Sequence, residues 1–363
     1  MRGRFLAALI AAGAVAFVLL WHSRTVTTNP HAASPPSTGS SGILRIAPSQ
    51  ELPDNLGGVR YLLLDSARAD EVADLKQRYA RLKVLAYKNL SFLIDYSKDE
   101  LGNAGVPWPK AAGHRSWFLR DRHRRRVPSV HYKDAWFADV GNRSYQAAWR
   151  QQVSAFLRSA SWDGVFVDDA LADPGWHLGG AYGKLARYPS RKAYRAAERS
   201  MLAAVAPPLE RSGYLVIANI VAARDQQDVW ADWARVLSGA MLEGFAKADK
   251  GPDSLLTGAA WGRDVDAERA VEGAGKIFLA LSYGPDDATT AQGYTRASFL
   301  LFDRPKTRSA SIWSPHPSAA PRMYPGRPLG PAKLRGTVWT RRFTRGTVWV
   351  DPSAATYGVR QNR

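Results

Sequence analysis

No cysteine occurs in the 363 residues, and this excludes disulfides, thiolate metal sites, a cysteine nucleophile and a lipoprotein anchor. Histidine is scarce. The seven present include no His-x-His and no His-Glu-x-x-His, so the donor set of a histidine zinc hydrolase is missing, and neither a metal nor another cofactor is expected. Acid is short relative to base: 32 Asp plus Glu against 50 Lys plus Arg leaves +18. Such a balance suits nucleic acid, anionic lipid or an acidic envelope polymer. The charges are mostly Arg, spread along the chain, and no helix-turn-helix, zinc-finger or RNA-binding signature accompanies them, so they read as a solvated basic surface with no nucleic-acid partner.

Long apolar runs are absent except at the start. Arg2 and Arg4 precede Phe5 to Trp21, which carries no charge, and His22 and Arg24 follow. Seventeen apolar residues suit either a signal peptide or an uncleaved membrane anchor. With no clear Ala-x-Ala behind the run, the balance tilts to an anchor, basic end inside. Residues 1–24 are therefore expected to direct export, residues 25–42, rich in Thr, Ser, Pro and Gly, to form a flexible linker, and the folded part to lie outside the cytoplasm.

From Ile43 short apolar runs alternate with amphipathic segments, as in a parallel sheet covered by helices. The expected strands are Ile43 to Ala47, Tyr61 to Asp65, Lys83 to Lys88, Trp136 to Val140, Gly164 to Asp168, Tyr214 to Asn219, Gly239 to Gly244, Lys276 to Tyr283 and Ser309 to Trp313. The expected helices include Asp70 to Tyr79, Ser144 to Ser159, Ser190 to Ser212, Gln226 to Leu237 and Asp264 to Gly273. An α/β fold of the (β/α)8 TIM-barrel type over residues 43–318 fits this alternation, with one strand too many, the first or the last. The connection from Asn89 to Ala135, with its Trp and Phe residues and the run Arg120 to Arg126, exceeds what a loop needs and reads as an ordered lid over the barrel mouth. Residues 319–363 hold two Gly-Thr-Val-Trp segments around Thr344-Arg345-Gly346, a β-hairpin extension.

Chemistry is expected where strands end in acid. Gly164-Val165-Phe166-Val167-Asp168-Asp169 is an apolar run closing on two carboxylates. Side chains alternate along a strand, so Asp168 shares the face of Phe166 while Asp169 points aside. Met241-Leu242-Glu243-Gly244 closes the same way on Glu243. On one barrel rim the two acids could flank a glycosidic bond, one protonating the leaving oxygen and the other attacking or stabilising the anomeric carbon, with carboxyl groups about 5 to 10 Å apart. Glu243, closing the more apolar run, is expected to be the acid and Asp168 the ionised partner. Asp139, Asp169 and Asn219 are candidate sugar hydrogen-bonders, and Tyr87, Trp136, Trp176, Trp261 and Tyr283 candidate stacking platforms. The Gly179 to Lys184 segment lacks phosphate-loop spacing and is set aside.

Trp117-Phe118-Leu119-Arg120-Asp121, Phe137-Ala138-Asp139-Val140-Gly141-Asn142, Asp163 to Asp169, Met241 to Phe245 and Arg341 to Pro352, in that order, resemble a little-characterised bacterial family of TIM-barrel glycoside hydrolases related to endo-α-1,4-polygalactosaminidase-type enzymes. The resemblance covers residues 43 to 352. It implies a barrel fold, hydrolysis of an extracellular or envelope polysaccharide, and Asp168 and Glu243 as the catalytic pair. The chain departs from the pattern with Asp351 in place of Asn and with Arg124-Arg125 where a Gly-containing turn is usual, the latter bearing on the shape of the lid. The competing readings are a catalytically silent carbohydrate-binding or scaffold barrel and a binder of anionic envelope polymers through the arginine run.

Overall fold

A computed structural model describes residues 42–46, 52, 56, 59–95, 103–180, 182–248, 251, 254–285, 287–314, 323 and 325–361. The proposed signal or anchor and nearly all of the linker lie outside these residues. Among them no helix is long and apolar enough to cross a membrane.

Eight parallel strands form one sheet: β1 (Gly42–Ile46), β2 (Val59–Leu64), β3 (Lys83–Asn89), β6 (Gly164–Leu171), β7 (Leu215–Val221), β8 (Gly239–Glu243), β9 (Ile277–Tyr283) and β10 (Ala310–Ser314), neighbours in that order. β1 returns alongside β10, rounding the sheet into a barrel. Helices α1 (Val72–Arg78), α3 (Arg143–Arg158), α4 (Arg191–Arg211), α5 (Gln227–Ala234), α6 (Gly258–Gly273) and α7 (Thr289–Phe302) connect successive strands on the outside. Period-two alternation sorts each strand into two layers. Leu63, Leu85, Phe166, Ile217, Met241 and Leu279 fill the barrel interior, while Leu62, Val84, Val165, Val216, Ala240 and Phe278 face the helices. Asn142 starts α3 by accepting from the N–H groups of Ser144 and Tyr145 (2.9 and 3.2 Å), a side-chain cap. Pro208 deprives the Ala204 carbonyl of its helical donor within α4, and the Arg150 guanidinium supplies one at 3.2 Å.

The surplus strand is neither the first nor the last. It is the fourth: β5 (Ala135–Phe137) pairs antiparallel with β4 (Phe92–Ile94) in a separate two-stranded ribbon. A short, mostly apolar run does not say which sheet it joins, and this one closes the base of the long insertion. The insertion, which includes α2 (Trp108–Ala112), leaves β3 at its carboxyl end, where the Leu90 N–H donates to the Asp168 carbonyl at 3.0 Å. The expected hairpin is also an underestimate. β11 (Lys333–Arg335), β12 (Val338–Phe343), β13 (Gly346–Asp351) and β14 (Thr356–Gln361) make a four-stranded antiparallel sheet packed on α7. Gly293 of α7 makes the approach possible, since a Cβ there would lie 1.9 Å from the Tyr357 hydroxyl oxygen.

Candidate active site

Five neighbouring strands each contribute one polar side chain at the carboxyl end of the barrel. In sheet order these are Tyr87 (β3), Asp168 (β6), Asn219 (β7), Glu243 (β8) and Tyr283 (β9). Asp168, Asn219 and Glu243 stand two positions beyond the interior residues Phe166, Ile217 and Met241, so alternation aims them inward. The Asn219 amide nitrogen donates to Asp168 Oδ1 and to Glu243 Oε2, each at 2.9 Å. Two oxygens 2.9 Å from one nitrogen are at most 5.8 Å apart (twice 2.9 Å). The outer oxygens are also held: the Tyr87 hydroxyl donates to Asp168 Oδ2 and the Tyr283 hydroxyl to Glu243 Oε1. Asn219 is buried, and the carboxylates and tyrosines are half-buried.

A β-bulge aims Asp168. The register between β6 and β7 shifts between Val167 and Ala170, and Asp169 takes a left-handed φ of 55°, a strained conformation for a non-glycine residue. Asp169 therefore turns aside as expected and does not join the row of five. It is buried, with its carboxylate accepting from Asn89 Nδ2 at 2.6 Å. Beneath it Ser91 Oγ lies 2.5 Å from the Asp169 carbonyl and 2.7 Å from Glu198 Oε1. Burial pushes Glu198 up to about 8, against the Ser91 and Leu171 hydrogen bonds it accepts, and the chain of contacts runs from α4 through Ser91 to the bulge.

The segment after Glu243 is clamped in its turn. Gly244 has φ 83°. Its carbonyl accepts from Arg224 Nη2 at 2.7 Å, while Asp264 of α6 binds Arg224 Nε at 2.6 Å and the Ala246 N–H at 2.8 Å. Burial raises Asp264 and the Arg224 charge opposes it; a buried carboxylate needs such a partner.

His177, in the loop after β6, is buried among Phe92, Tyr132, Phe137 and Trp176. Desolvation and the nearby His131 lower it to about 3, against the attraction of Asp168. The ring is thus neutral. Ser129 Oγ, 3.1 Å from Nδ1, already accepts from the N–H groups of His131 and Tyr132. The Ser129 to Tyr132 turn of the insertion thereby packs on the loop that leaves the carboxyl end of β6, the Val130 N–H also donating to the His177 carbonyl at 3.0 Å.

The remaining candidates lie elsewhere. Asp139 is not on a barrel strand, because its strand belongs to the insertion. Arg187 Nη1 and the Tyr188 hydroxyl, each at 2.5 Å, occupy its carboxylate. Trp136 stacks on Trp108 (centroids 4.9 Å, 24°) and Trp176 on His131 (3.6 Å, 13°). Trp261 is buried in α6, its indole N–H donating to Ser298 at 2.8 Å. Among the described residues no group of three or more His, Asp or Glu is placed to hold a metal. Sequence reasoning did not single out His177, Arg224, Glu198 or Asp264. A signal existed for the last two, since acid inside the apolar stripe of a helix requires a partner or a proton. For His177 and Arg224, which lie in loops, there was none.

A parallel barrel whose carboxyl-end rim brings an Asp and a Glu together is an arrangement that barrel glycoside hydrolases use. Residues 76–347 match hypothetical glycosyl hydrolase family 15, and the chain belongs to that family. The glycoside hydrolase domain of PelA from Pseudomonas aeruginosa is similar in structure, with a TM-score of 0.50, 15% identity, and coverage of 78% of this chain and 96% of that one. Aspergillus fumigatus Ega3, solved in complex with galactosamine, gives a TM-score of 0.47 at 12% identity, over 78% of this chain and 94% of that one. At 15% identity the likeness to the PelA domain is one of fold. No curated protein matches the sequence.

Proposed function

We propose that this glycoside hydrolase cleaves a polysaccharide outside the cytoplasm with retention of configuration, Glu243 acting as acid and base and Asp168 as nucleophile. The observation that carries the reading is the single Asn219 amide shared by both carboxylates. With both bridged oxygens 2.9 Å from one nitrogen, it supports the close spacing, about 5 to 5.5 Å, of enzymes that form a covalent intermediate over the wider spacing that lodges a water. Glu243 protonates the leaving oxygen as Asp168 attacks the anomeric carbon. The bond to the leaving group breaks and a glycosyl ester forms. Glu243, now ionised, takes a proton from water, which displaces Asp168 and releases the sugar. Tyr87 and Tyr283 orient the carboxylates. The basic residues before an apolar run at the N-terminus support export.

Release of reducing ends from a panel of polysaccharides, with the product anomer followed by NMR, tests the reading. Asp168→Asn and Glu243→Gln should each lower the rate by a factor on the order of 10² to 10⁴ with thermal unfolding unchanged. Full activity in both variants would sink the assignment. Glycan binding that survives both substitutions, with no product from the unaltered chain, would leave a silent binding barrel. An inverted product would remove the nucleophile role of Asp168.

A further inference from the structure

Residues 120–126 form a tight hairpin, with Arg120 bridging Arg126 across it. Its outer edge joins a strip from the loop after β6: the Arg122 N–H donates to the Lys184 carbonyl and the Ala186 N–H to the Arg120 carbonyl, both at 2.9 Å. The two loops leave the carboxyl ends of β3 and β6, and they meet again where the Val130 N–H donates to the His177 carbonyl at 3.0 Å. The ribbon is therefore part of the rim around the carboxylate row.

Not all of its guanidinium groups are available. Arg126 lies over the Phe118 ring at 3.7 Å, Arg120 donates to the carbonyls of Arg115 and Arg124, and Arg125 pairs with Asp121 at 2.8 Å. That leaves Arg115, Arg122, Arg124 and Lys184, all exposed and none in an ion pair with an acid among the described residues. The one acid in the hairpin, Asp121, is consumed within it, accepting also from the N–H groups of His123 and Arg125 at 2.9 and 2.8 Å. Positive charge is crowded here: burial and the charges of Arg120 and Arg115 together lower Arg126. Arg124 stands at the turn with φ 63°, where glycine would sit without strain.

Uncompensated charge on the approach to a cleft raises the local concentration of oppositely charged substrate and repels its own sign. The nearby rings of Trp117 and Phe118 are buried, so the strip lacks the exposed stacking platforms that would read nucleic-acid bases. We propose that the substrate is an anionic glycan, bearing carboxylate or phosphate groups, and that Arg115, Arg122, Arg124 and Lys184 hold the polymer as it passes over the rim. This identification of the substrate rests on the hydrolase reading above.

The test uses the full chain in detergent with Asp168→Asn, so that polymer is not consumed. Polygalacturonate and a teichoic acid serve as carboxylate and phosphate probes, dextran as the neutral one and chitosan as the cationic one. At least one anionic polymer should bind, with Kd rising about tenfold or more as ionic strength goes from about 0.01 M to about 0.15 M and the screening length falls from about 30 Å to about 8 Å. The variant Arg122→Ser/Arg124→Gly/Lys184→Ser should weaken that binding by about tenfold and leave thermal unfolding intact, since these side chains are exposed and make no hydrogen bond or ion pair among the described residues, and glycine suits the turn. Binding unchanged in the triple variant, or as tight for dextran or chitosan, overturns the proposal. So does tighter binding to duplex DNA or anionic lipid vesicles at equal charge. Salt-sensitive binding of an anionic glycan that the unaltered chain never cleaves would support the surface and refute the hydrolase reading. Cleavage of a neutral glycan, indifferent to the triple substitution, would do the reverse.

Discussion

Asn219 is the residue on which the site turns, because one amide group places its two hydrogens between two acids. Without that donor, two carboxylates facing each other hold a shared proton more tightly. Asn219→Ala should therefore lower kcat by about tenfold or more and carry the basic limb of the pH–rate profile to higher pH. A profile superimposable on that of the unaltered enzyme would show that the bridge does not govern the pair. Asn219 was legible as polar at a strand end. That it would face both acids followed from strand order, which no local pattern contains.

Secondary-structure elements deliver these side chains by different devices. β6 uses a bulge braced by Ser91 and Glu198, whereas β8 ends on a left-handed glycine clamped by Arg224 and Asp264. The C-terminal sheet is attached through α7, where the missing side chain of Gly293 makes room for Tyr357. Gly293→Ala should push the two apart and destabilise the fold by about 1 to 3 kcal/mol, read as a lower urea midpoint. An unchanged midpoint would mean that the sheet packs loosely. The lid is likewise built by particular contacts: of the arginines in its run, Arg126 and Arg125 support the hairpin, against a reading of the whole run as a substrate surface.

Across the molecule, buried acids set the pH response. Burial pushes Glu198 and Glu272 up to about 8 from an ordinary 4.5. Their folded values exceed their unfolded ones, so the stability they contribute is complete below about 4.5 and is lost as pH rises through about 8. His177, lowered to about 3 from 6.5, works the other way, its contribution being lost as pH falls below about 6.5. Between about 6.5 and 8 the acids act unopposed by His177, and the urea midpoint should fall over that window. Glu198→Gln, neutral at every pH, should flatten the slope; a slope unaffected by it would show that Glu198 is charged in the folded state.

The sequence by itself determined the alternation of strand and helix, the inward face of each strand and the acids that close β6 and β8, because these follow from period-two and helical patterning over a few residues. It misplaced the fourth strand and with it Asp139 and Trp136, since an apolar run carries no record of its partner. Trp176 was seen as an aromatic near the mouth, but its stacking on His131 joins two loops. What tertiary structure alone decided is the pairing of Asp168 with Glu243 through Asn219, the neutral state of His177 and which arginines of the run stay exposed. Each depends on groups brought together from distant parts of the chain, where hydrogen bonding and desolvation act on distance in space rather than in sequence.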